Sequence, residues 1–264
     1  MDEASGLGMK SEQGGEHPGL LASLPWYDVA ATHASMDDFW SVLRRELEKA
    51  GIHELPRDLD RTTPLRDQWQ QSGLVVSQCC GLDLFTPAAG SLLPIARPVF
   101  SDIAGQPGTY FSHIVAAGTL GQQPRRAVVN AASSRSGCAA LLEWASERDW
   151  LDLDVLISGS HEESLRYLRD DLADFAAIDA HSWNLLDTKG MSILGRSSDA
   201  PAPPFVTHRA CSVSAAIILQ ALTRAVEEAG ESIGIRQVMP ASLDDYQGLS
   251  QQRASLARYR SRAG

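Results

Sequence analysis

Basic residues are scarce in this sequence. Lys and Arg together number 23 against 33 Asp and Glu, which gives the 264-residue chain a formal net charge of −10 at pH 7. Proteins that bind nucleic acids have the opposite charge balance, because Lys and Arg must neutralise the phosphate backbone. We therefore expect no nucleic-acid partner.

Long apolar runs are also missing. No stretch reaches the roughly 18 apolar residues that a membrane-spanning helix needs, so we expect no membrane insertion. The opening segment MDEASGLGMKSEQGGEHPG is polar and glycine-rich, without the apolar core of a signal peptide. We predict a disordered N-terminus over 1–19 and a cytoplasmic location for the chain as encoded, or a periplasmic one if the start is misassigned.

Cysteine is limited to four residues, and the common cofactor motifs are absent. The cysteines are Cys79, Cys80, Cys138 and Cys211, and no CxxC pair occurs. We therefore expect reduced, half-buried thiols rather than a zinc site. The sequence contains no P-loop, GxGxxG, HExxH or GxSxG motif, so it indicates neither a cofactor nor a metal.

The sequence does contain a regular alternation of apolar strands and helices after residue 126. The predicted strands lie at 127–130, 153–160, 175–180 and 191–197. Helices are predicted at 138–147 and 161–172, with a short one near Trp183. Continuous apolar strands separated by helices predict an α/β fold with a covered, mostly parallel sheet.

The flanking regions carry weaker patterns. The N-terminal half predicts a helix that Ser35 and Asp38 cap and Gly51 ends. The apolar face of this helix consists of Met36, Phe39, Trp40, Leu43 and Leu47. Further strands are predicted at 74–76, breaking at Ser77, and at 109–117. A strand at 205–209 and a helix from about 212 to 228 follow the proline-rich segment 200–204.

One strand runs into a serine-rich loop and then into a helix. In VVNAASSRSGCAALLEW, the residues Ser134, Arg135 and Ser136 directly precede the predicted helix. The unpaired amides of a first helical turn bind anions, and hydroxyl and guanidinium groups add donors. The alternative is that Ser134 or Ser136 only caps the helix.

Two further strand ends carry His161 and Asp179. His161 lies within SGSHEESL at a predicted helix start, where the dipole favours neutral imidazole, although Ser160 and Glu163 also form an ordinary capping box. Asp179 ends a buried strand and is suited either to a ligand amine or hydroxyl or to capping the next helix. Consecutive strands of one sheet bring these ends to the same edge, so we expect the three to converge.

Seven short segments together resemble a known family. SLPWYD, LVVSQCCG, GTYFSHIV, AVVNAASSRSG, SGSHEESL, FAAIDAHSW and PPFVTH occur in the order found in phosphate/phosphonate-type substrate-binding proteins of ABC transporters. The resemblance spans about Leu20 to Arg209. It implies a type 2 periplasmic-binding-protein fold, with two α/β lobes joined by two crossover strands, here TYFSHIVAA and PPFVTHR. The first lobe would comprise 20–117 plus 203–264, and the second 118–202.

The resemblance also implies a ligand site in the cleft between the lobes. The family's phosphonate-binding loop corresponds to Ser134, Arg135 and Ser136, where Arg135 replaces a small hydroxyl residue. His161 matches a family histidine, and Asp179 the acidic position that meets the amino group in aminophosphonate binders. The implied first-lobe contacts are Tyr27, Ser77, Gln78 and Tyr110.

These features predict a solute-binding protein for a small phosphorus oxyanion or organophosphonate. Its partners would be a small anionic ligand and an ABC permease or signalling protein. A binding role requires only anion donors and a hinge, which the sequence offers. The alternatives are a cytoplasmic enzyme that uses His161 as general base and the ligand-sensing domain of a regulatory system.

Overall fold

The computed structural model describes residues 19–120, 124–150 and 152–252. The predicted disordered segment therefore lies, except for Gly19, outside the described residues. In chain order the strands are β1 (Leu21–Ala22), β2 (Leu74–Gln78), β3 (Leu92–Phe100), β4 (Thr109–Tyr110), β5 (Ser112–Ala117), β6 (Arg126–Val129), β7 (Asp154–Ile157), β8 (Phe175–Asp179), β9 (Met191–Arg196), β10 (Ala200–Pro201), β11 (Phe205–His208) and β12 (Ile235–Pro240). The α-helices are α1 (His33–Lys49), α2 (Leu65–Gln68), α3 (Ala140–Ser146), α4 (His161–Arg169), α5 (Ala180–Leu185) and α6 (Ala215–Ala229).

The strands form two five-stranded sheets, and both are mixed. The first has the order β1-β2-β11-β3-β12, in which β1 and β2 pair in parallel and every other neighbouring pair is antiparallel. The second has the order β7-β6-β8-β5-β9, in which β6 pairs in parallel with β7 and β8, and β5 pairs antiparallel with both β8 and β9. The prediction of a mostly parallel sheet is therefore wrong. Helical crossovers keep β6, β7 and β8 parallel, whereas β5 and β9 carry the chain into and out of the sheet.

The chain crosses between the sheets at a two-stranded ribbon formed by β4 and β10. Tyr110 pairs with Ala200 and Thr109 with Pro201 in antiparallel register. Most of the predicted crossover TYFSHIVAA is β5 of the second sheet, and most of PPFVTHR is β11 of the first. By sheet membership the second unit runs from Ser112 to Arg196, whereas the sequence predicted limits of 118–202.

The helix α1 confirms the predicted apolar face but not its predicted start. Its apolar residues are buried, the helix packs against α6, and Gly51, with φ +85°, follows its end. The helix begins at His33 rather than behind a Ser35–Asp38 cap. The residue before it, Thr32, uses its hydroxyl to accept a hydrogen bond from the Val29 amide at 3.0 Å. This tight local turn starts the helix earlier than the capping pattern indicated.

The sequence pattern missed the strands β3, β10 and β12 and predicted β2 too short. The strand β3 contains Pro94 and Pro98, residues that normally argue against a strand interior. Its pairing with β11 is irregular beside Pro94, which allows the proline to be accommodated. The strand β12 was also not predicted. The strand β2 continues through Ser77 and Gln78, because both side chains find partners inside the protein.

Two smaller predictions concern the thiols and the membrane. None of the four cysteines forms a disulfide, and Cys79, Cys80 and Cys138 are buried. Within the described residues, no helix combines the length and the apolar character that crossing a bilayer requires.

Candidate functional site

A cavity of about 440 Å³ lies between loops of the two sheets. We call it the cleft. One side comes from 25–29 behind β1, from Leu65, and from the chain around Cys80 and Asp83 behind β2. The other side comes from the loops that follow β6, β7 and β8, and Tyr110 of the ribbon also lines it. The three strand ends that the sequence predicted to converge therefore do so.

The loop after β6 presents Ser134 and Ser136 to the cleft. Ser134 is the N-cap of a π-helical turn, Arg135–Ala139, that continues directly into α3, and its hydroxyl accepts from the Gly137 amide at 3.0 Å. The two serine hydroxyl oxygens lie 3.3 Å apart. Ser134 therefore caps the helical turn, as one alternative predicted, and both serines also line the cleft, as the other predicted.

Gly137 allows this turn to pack against the end of β6. A Cβ atom at this position would lie 2.0 Å from Oδ1 of Asn130, which itself lines the cleft. That distance is far below van der Waals contact, so only glycine fits without displacing Asn130. The shape of the serine loop therefore depends on the glycine.

Arg135 points away from the cleft. Its side chain is only 2% exposed, and Nη2 lies 3.3 Å from Oε2 of Glu143. The same nitrogen donates to the carbonyl and the hydroxyl of Ser198 at 3.3 and 3.2 Å. Ser198 lies two residues before the start of the ribbon strand β10, so Arg135 joins the serine loop to the crossing. The sequence predicted Arg135 as a ligand contact, whereas in the structure its side chain is buried against Glu143 and does not line the cleft.

His161 opens α4 and lies beside Ser136. The Nε2 atom of His161 is 3.0 Å from Oγ of Ser136. Ser160 caps the helix by accepting from the Glu163 amide at 3.0 Å, as the capping pattern predicted. Burial lowers the pKa of His161 to about 4, so the ring is neutral at pH 7. A neutral imidazole offers one donor and one acceptor nitrogen.

Asp179 lies at the third strand end and combines two roles. Its carboxylate caps α5 by accepting from the Ser182 amide at 2.9 Å, and it also accepts from the Tyr27 hydroxyl at 3.2 Å. Burial raises the pKa of Asp179 above its usual value. Since Tyr27 comes from the first-sheet side, this hydrogen bond spans the cleft.

Ser77 and Gln78 lie deeper in the first sheet and do not line the cleft. The hydroxyl oxygens of Ser77 and Ser23 lie 2.8 Å apart, and Oε1 of Gln78 accepts from the Trp26 amide at 3.2 Å. Both side chains are buried and hold the segment that carries Tyr27. The predicted residues that the structure does bring together in the cleft are Tyr27, Tyr110, Ser134, Ser136, His161 and Asp179.

Several cleft residues were not predicted from the sequence. Asn130 and Ser133 lie in the serine-loop segment and Trp26 precedes Tyr27, so adjacency was a usable signal. Leu65, Leu185 and Leu186 carry no such signal, because they come from short helices whose position only the tertiary structure shows. Among the described residues, no group of three or more His, Cys, Asp or Glu side chains is placed to hold a metal ion.

Comparisons with known proteins show similarity in structure but not in sequence. No family model matches the chain, and no curated protein does. PhnD1 from Prochlorococcus marinus, solved in complex with methylphosphonate, superimposes with a TM-score of 0.69 at 13% identity, covering 91% of this chain and 99% of that one. A binding protein component of an ABC phosphonate transporter from Pseudomonas aeruginosa gives a TM-score of 0.69 at 11% identity, covering 94% and 90%.

A third structure adds a different bound molecule. A protein from Xanthomonas citri, solved with ATP, gives a TM-score of 0.63 at 12% identity, covering 93% of this chain and 99% of that one. These likenesses, over nearly the whole of both chains, show the fold. The protein has the two-lobed α/β fold of the type 2 periplasmic binding proteins, as expected, with the cleft between its two sheets.

Proposed function

We propose that this chain is a solute-binding protein that holds a small phosphorus oxyanion or organophosphonate in the cleft. The observation that carries the proposal is the meeting of two helix starts at one point. Ser136, in the helical turn after β6, and His161, the first residue of α4, lie 3.0 Å apart across the two loops. The first amides of a helix have no partner within it, and the positive end of the helix dipole favours an anion.

The groups at this point suit a tetrahedral oxyanion. The hydroxyls of Ser134 and Ser136 rotate freely about their Cβ–Oγ bonds, so each donates to whichever oxygen lies nearest. Nε2 of neutral His161 lies beside Ser136, and it acts as a donor or as an acceptor according to the tautomer of the ring. Tyr27 and Asp179 close the opposite side through their mutual hydrogen bond.

The same geometry supports binding over catalysis. A general base acts best when its pKa lies near the working pH, and the pKa of His161 is about 4. Among the described residues, no carboxylate is bonded to either ring nitrogen of His161, so no acidic group orients the ring as in a catalytic triad. We therefore assign His161 a role in ligand recognition.

The solved structures support the choice of ligand and of partner. One neighbour was solved with methylphosphonate, and another is described as part of an ABC phosphonate transporter. We propose an ABC permease or a signalling protein as the partner that responds when the two lobes close on the ligand. The cytoplasmic location stays a prediction.

The test is a thermal-shift screen followed by calorimetric titration. Inorganic phosphate, phosphite and methylphosphonate are compared with sulfate, and we expect phosphorus compounds to raise the melting temperature selectively. Ser136→Ala and His161→Ala should each weaken binding by roughly five- to thirtyfold, the equivalent of one lost hydrogen bond of about 1–2 kcal/mol. The exposed residues Ser41 and His53 supply matched controls, since Ser41→Ala and His53→Ala should bind like the wild type. Equal binding by all four variants would place the ligand elsewhere.

A further inference from the structure

The cleft is much larger than an oxyanion headgroup. At about 30 Å³ for each water-sized group, the phosphorus, the three oxygens and the attached carbon of a phosphonate fill about 150 Å³ at most. The cavity measures about 440 Å³, so more than half of it needs another occupant. Sites of this size generally enclose an entire small organic molecule.

The wall of the remaining space is apolar. The side chains that form it come from the segment after β1, from the start of α2 and from the end of α5. They are Pro25, Trp26, Val29, Leu65, Leu185 and Leu186. Water gains few hydrogen bonds against such a surface, whereas an apolar ligand group is favoured there.

The helix α5 gives the distance between the polar end and the apolar end of the cleft. Asp179 and Ser182 line the cleft at its N-terminal end, and Leu185 and Leu186 line it at the C-terminal end. At 1.5 Å per residue, the helix separates Asp179 from Leu186 by roughly 10 Å. A ligand that contacts both ends must therefore extend well beyond its headgroup.

The charges around the cavity restrict the ligand further. None of the described lining residues is a lysine or an arginine, while the acidic residues Asp83, Glu162 and Asp179 all line the cavity. A second or third phosphate on the ligand would meet carboxylates with no cationic side chain to offset the repulsion. Polyanions such as nucleotides are therefore disfavoured.

We propose that the ligand is a monosubstituted phosphonate or phosphate ester whose substituent is uncharged, apolar and roughly five to ten heavy atoms in size. The proposal rests on the binding function argued above and narrows it to a substrate class. The headgroup lies at Ser134, Ser136 and His161, and the substituent lies between Trp26 and Leu186. Free phosphate and methylphosphonate leave the apolar wall uncovered.

The direct test compares phenylphosphonate, methylphosphonate, inorganic phosphate and ATP by calorimetric titration of the full chain. Because each buried carbon adds about fourfold in affinity, we expect phenylphosphonate to bind at least tenfold more tightly than methylphosphonate. ATP should not displace phenylphosphonate at equal concentration. Phenyl phosphate distinguishes the two headgroups: tighter binding than phenylphosphonate assigns the ligand as the ester, and weaker binding assigns it as the phosphonate.

Variants of the apolar wall supply the second test. Leu186→Ala and Trp26→Phe should weaken phenylphosphonate binding at least threefold while changing methylphosphonate binding less than twofold. Leu172 is exposed and outside the cleft, so Leu172→Ala serves as the matched control for the leucine. The melting temperature without ligand shows that each variant is folded.

Two kinds of result overturn the proposal, and they are distinguishable. If phosphonates bind but methylphosphonate binds as tightly as phenylphosphonate, or if Leu186→Ala weakens both equally, the apolar-substituent proposal is wrong while the binding function stands. Displacement of phenylphosphonate by ATP with equal affinity leads to the same conclusion. If none of the phosphorus compounds binds, both the function and the substrate class are wrong.

Discussion

His181 and Asp102 join the second sheet to the first: Nδ1 of His181 lies 2.9 Å from both carboxylate oxygens of Asp102. His181 belongs to α5, and Asp102 follows β3. The ring is 1% exposed, stacks on Phe100 at 4.6 Å between ring centroids and meets Tyr27 edge-on at 4.5 Å. Because Tyr27 also bonds to Asp179, this contact between the sheets adjoins the cleft.

We predict that Gly234→Ala breaks this contact. A Cβ atom at Gly234 would lie 2.3 Å from Cε1 of His181, and φ of +68° is itself unfavourable for alanine. The free energy of unfolding should fall by about 2–4 kcal/mol, measured by urea denaturation. Gly190 has φ +80° but nothing within 4 Å of its Cβ position, so Gly190→Ala measures the backbone strain alone.

The double variant Gly234→Ala with His181→Ala provides the control for the clash. The second substitution removes the atom that the new Cβ meets. The losses in free energy of unfolding of the two single variants should therefore sum to more than the loss of the double variant. Strict additivity, or equal losses in Gly234→Ala and Gly190→Ala, would contradict the predicted collision with the ring.

We predict that His161 makes stability fall as the pH drops from about 6.5 to about 4. The folded protein holds the pKa of His161 at about 4 through burial, against 6.5 for the ordinary side chain. Between these values the unfolded chain takes up a proton that the folded chain does not, so the stabilisation is complete above pH 6.5 and is lost towards pH 4. The loss should approach roughly 3 kcal/mol.

The measurement is urea denaturation at pH 7.5, 5.5 and 4.5 for the wild type and His161→Gln. The variant should show a shallower dependence on pH, because glutamine does not titrate. His53 is exposed, and His53→Gln should follow the wild-type curve. Parallel curves for the wild type and His161→Gln would show that this ring does not titrate as described.

We predict that Arg135→Met destabilises the protein without removing a ligand contact. The substitution removes the guanidinium that contacts both Glu143 and Ser198, which also bond to each other, and the free energy of unfolding should fall by about 2–4 kcal/mol. Affinity for the best oxyanion of the screen should change less than fivefold under conditions where the variant is folded. Arg224 is 55% exposed, so Arg224→Met is the matched control. A much larger loss of affinity than of stability would place the guanidinium in the cleft.

We predict that Gly137→Ala disrupts the serine loop. The new methyl group would lie 2.0 Å from Oδ1 of Asn130, so either the loop or the asparagine must move, at a cost of about 1–3 kcal/mol. Oxyanion affinity should fall at least tenfold, and Asn130→Ala in the same chain should recover part of the lost stability. Gly248 has open space around its Cβ position, and Gly248→Ala should bind normally. Unchanged affinity in Gly137→Ala would show that the loop geometry is not needed for binding.

Local patterns predicted the elements whose formation depends on their own residues. The alternation after residue 126 predicted β6 to β9 and the helices between them, because continuous apolar strands and capped helices are encoded within short stretches. The same junctions pointed to Ser134, Ser136, His161 and Asp179, since a polar residue directly after a buried strand lies at the sheet edge wherever the strand pairs. The strand β3 was not predicted because Pro94 and Pro98 argue against a strand in the local pattern. Only the pairing with neighbouring strands stabilises it.

The sequence by itself therefore determined the α/β class, the serine-rich helix start and the neighbouring histidine of the candidate site. Only the tertiary structure decided which way Arg135 points, where Ser77 and Gln78 lie, and which leucines complete the cleft. It alone also brought His181 to Asp102. The physical reason is that caps and periodicity depend on residues a few positions apart. The direction of a side chain depends instead on partners contributed by distant segments, such as Ser198 for Arg135 and Ser23 for Ser77.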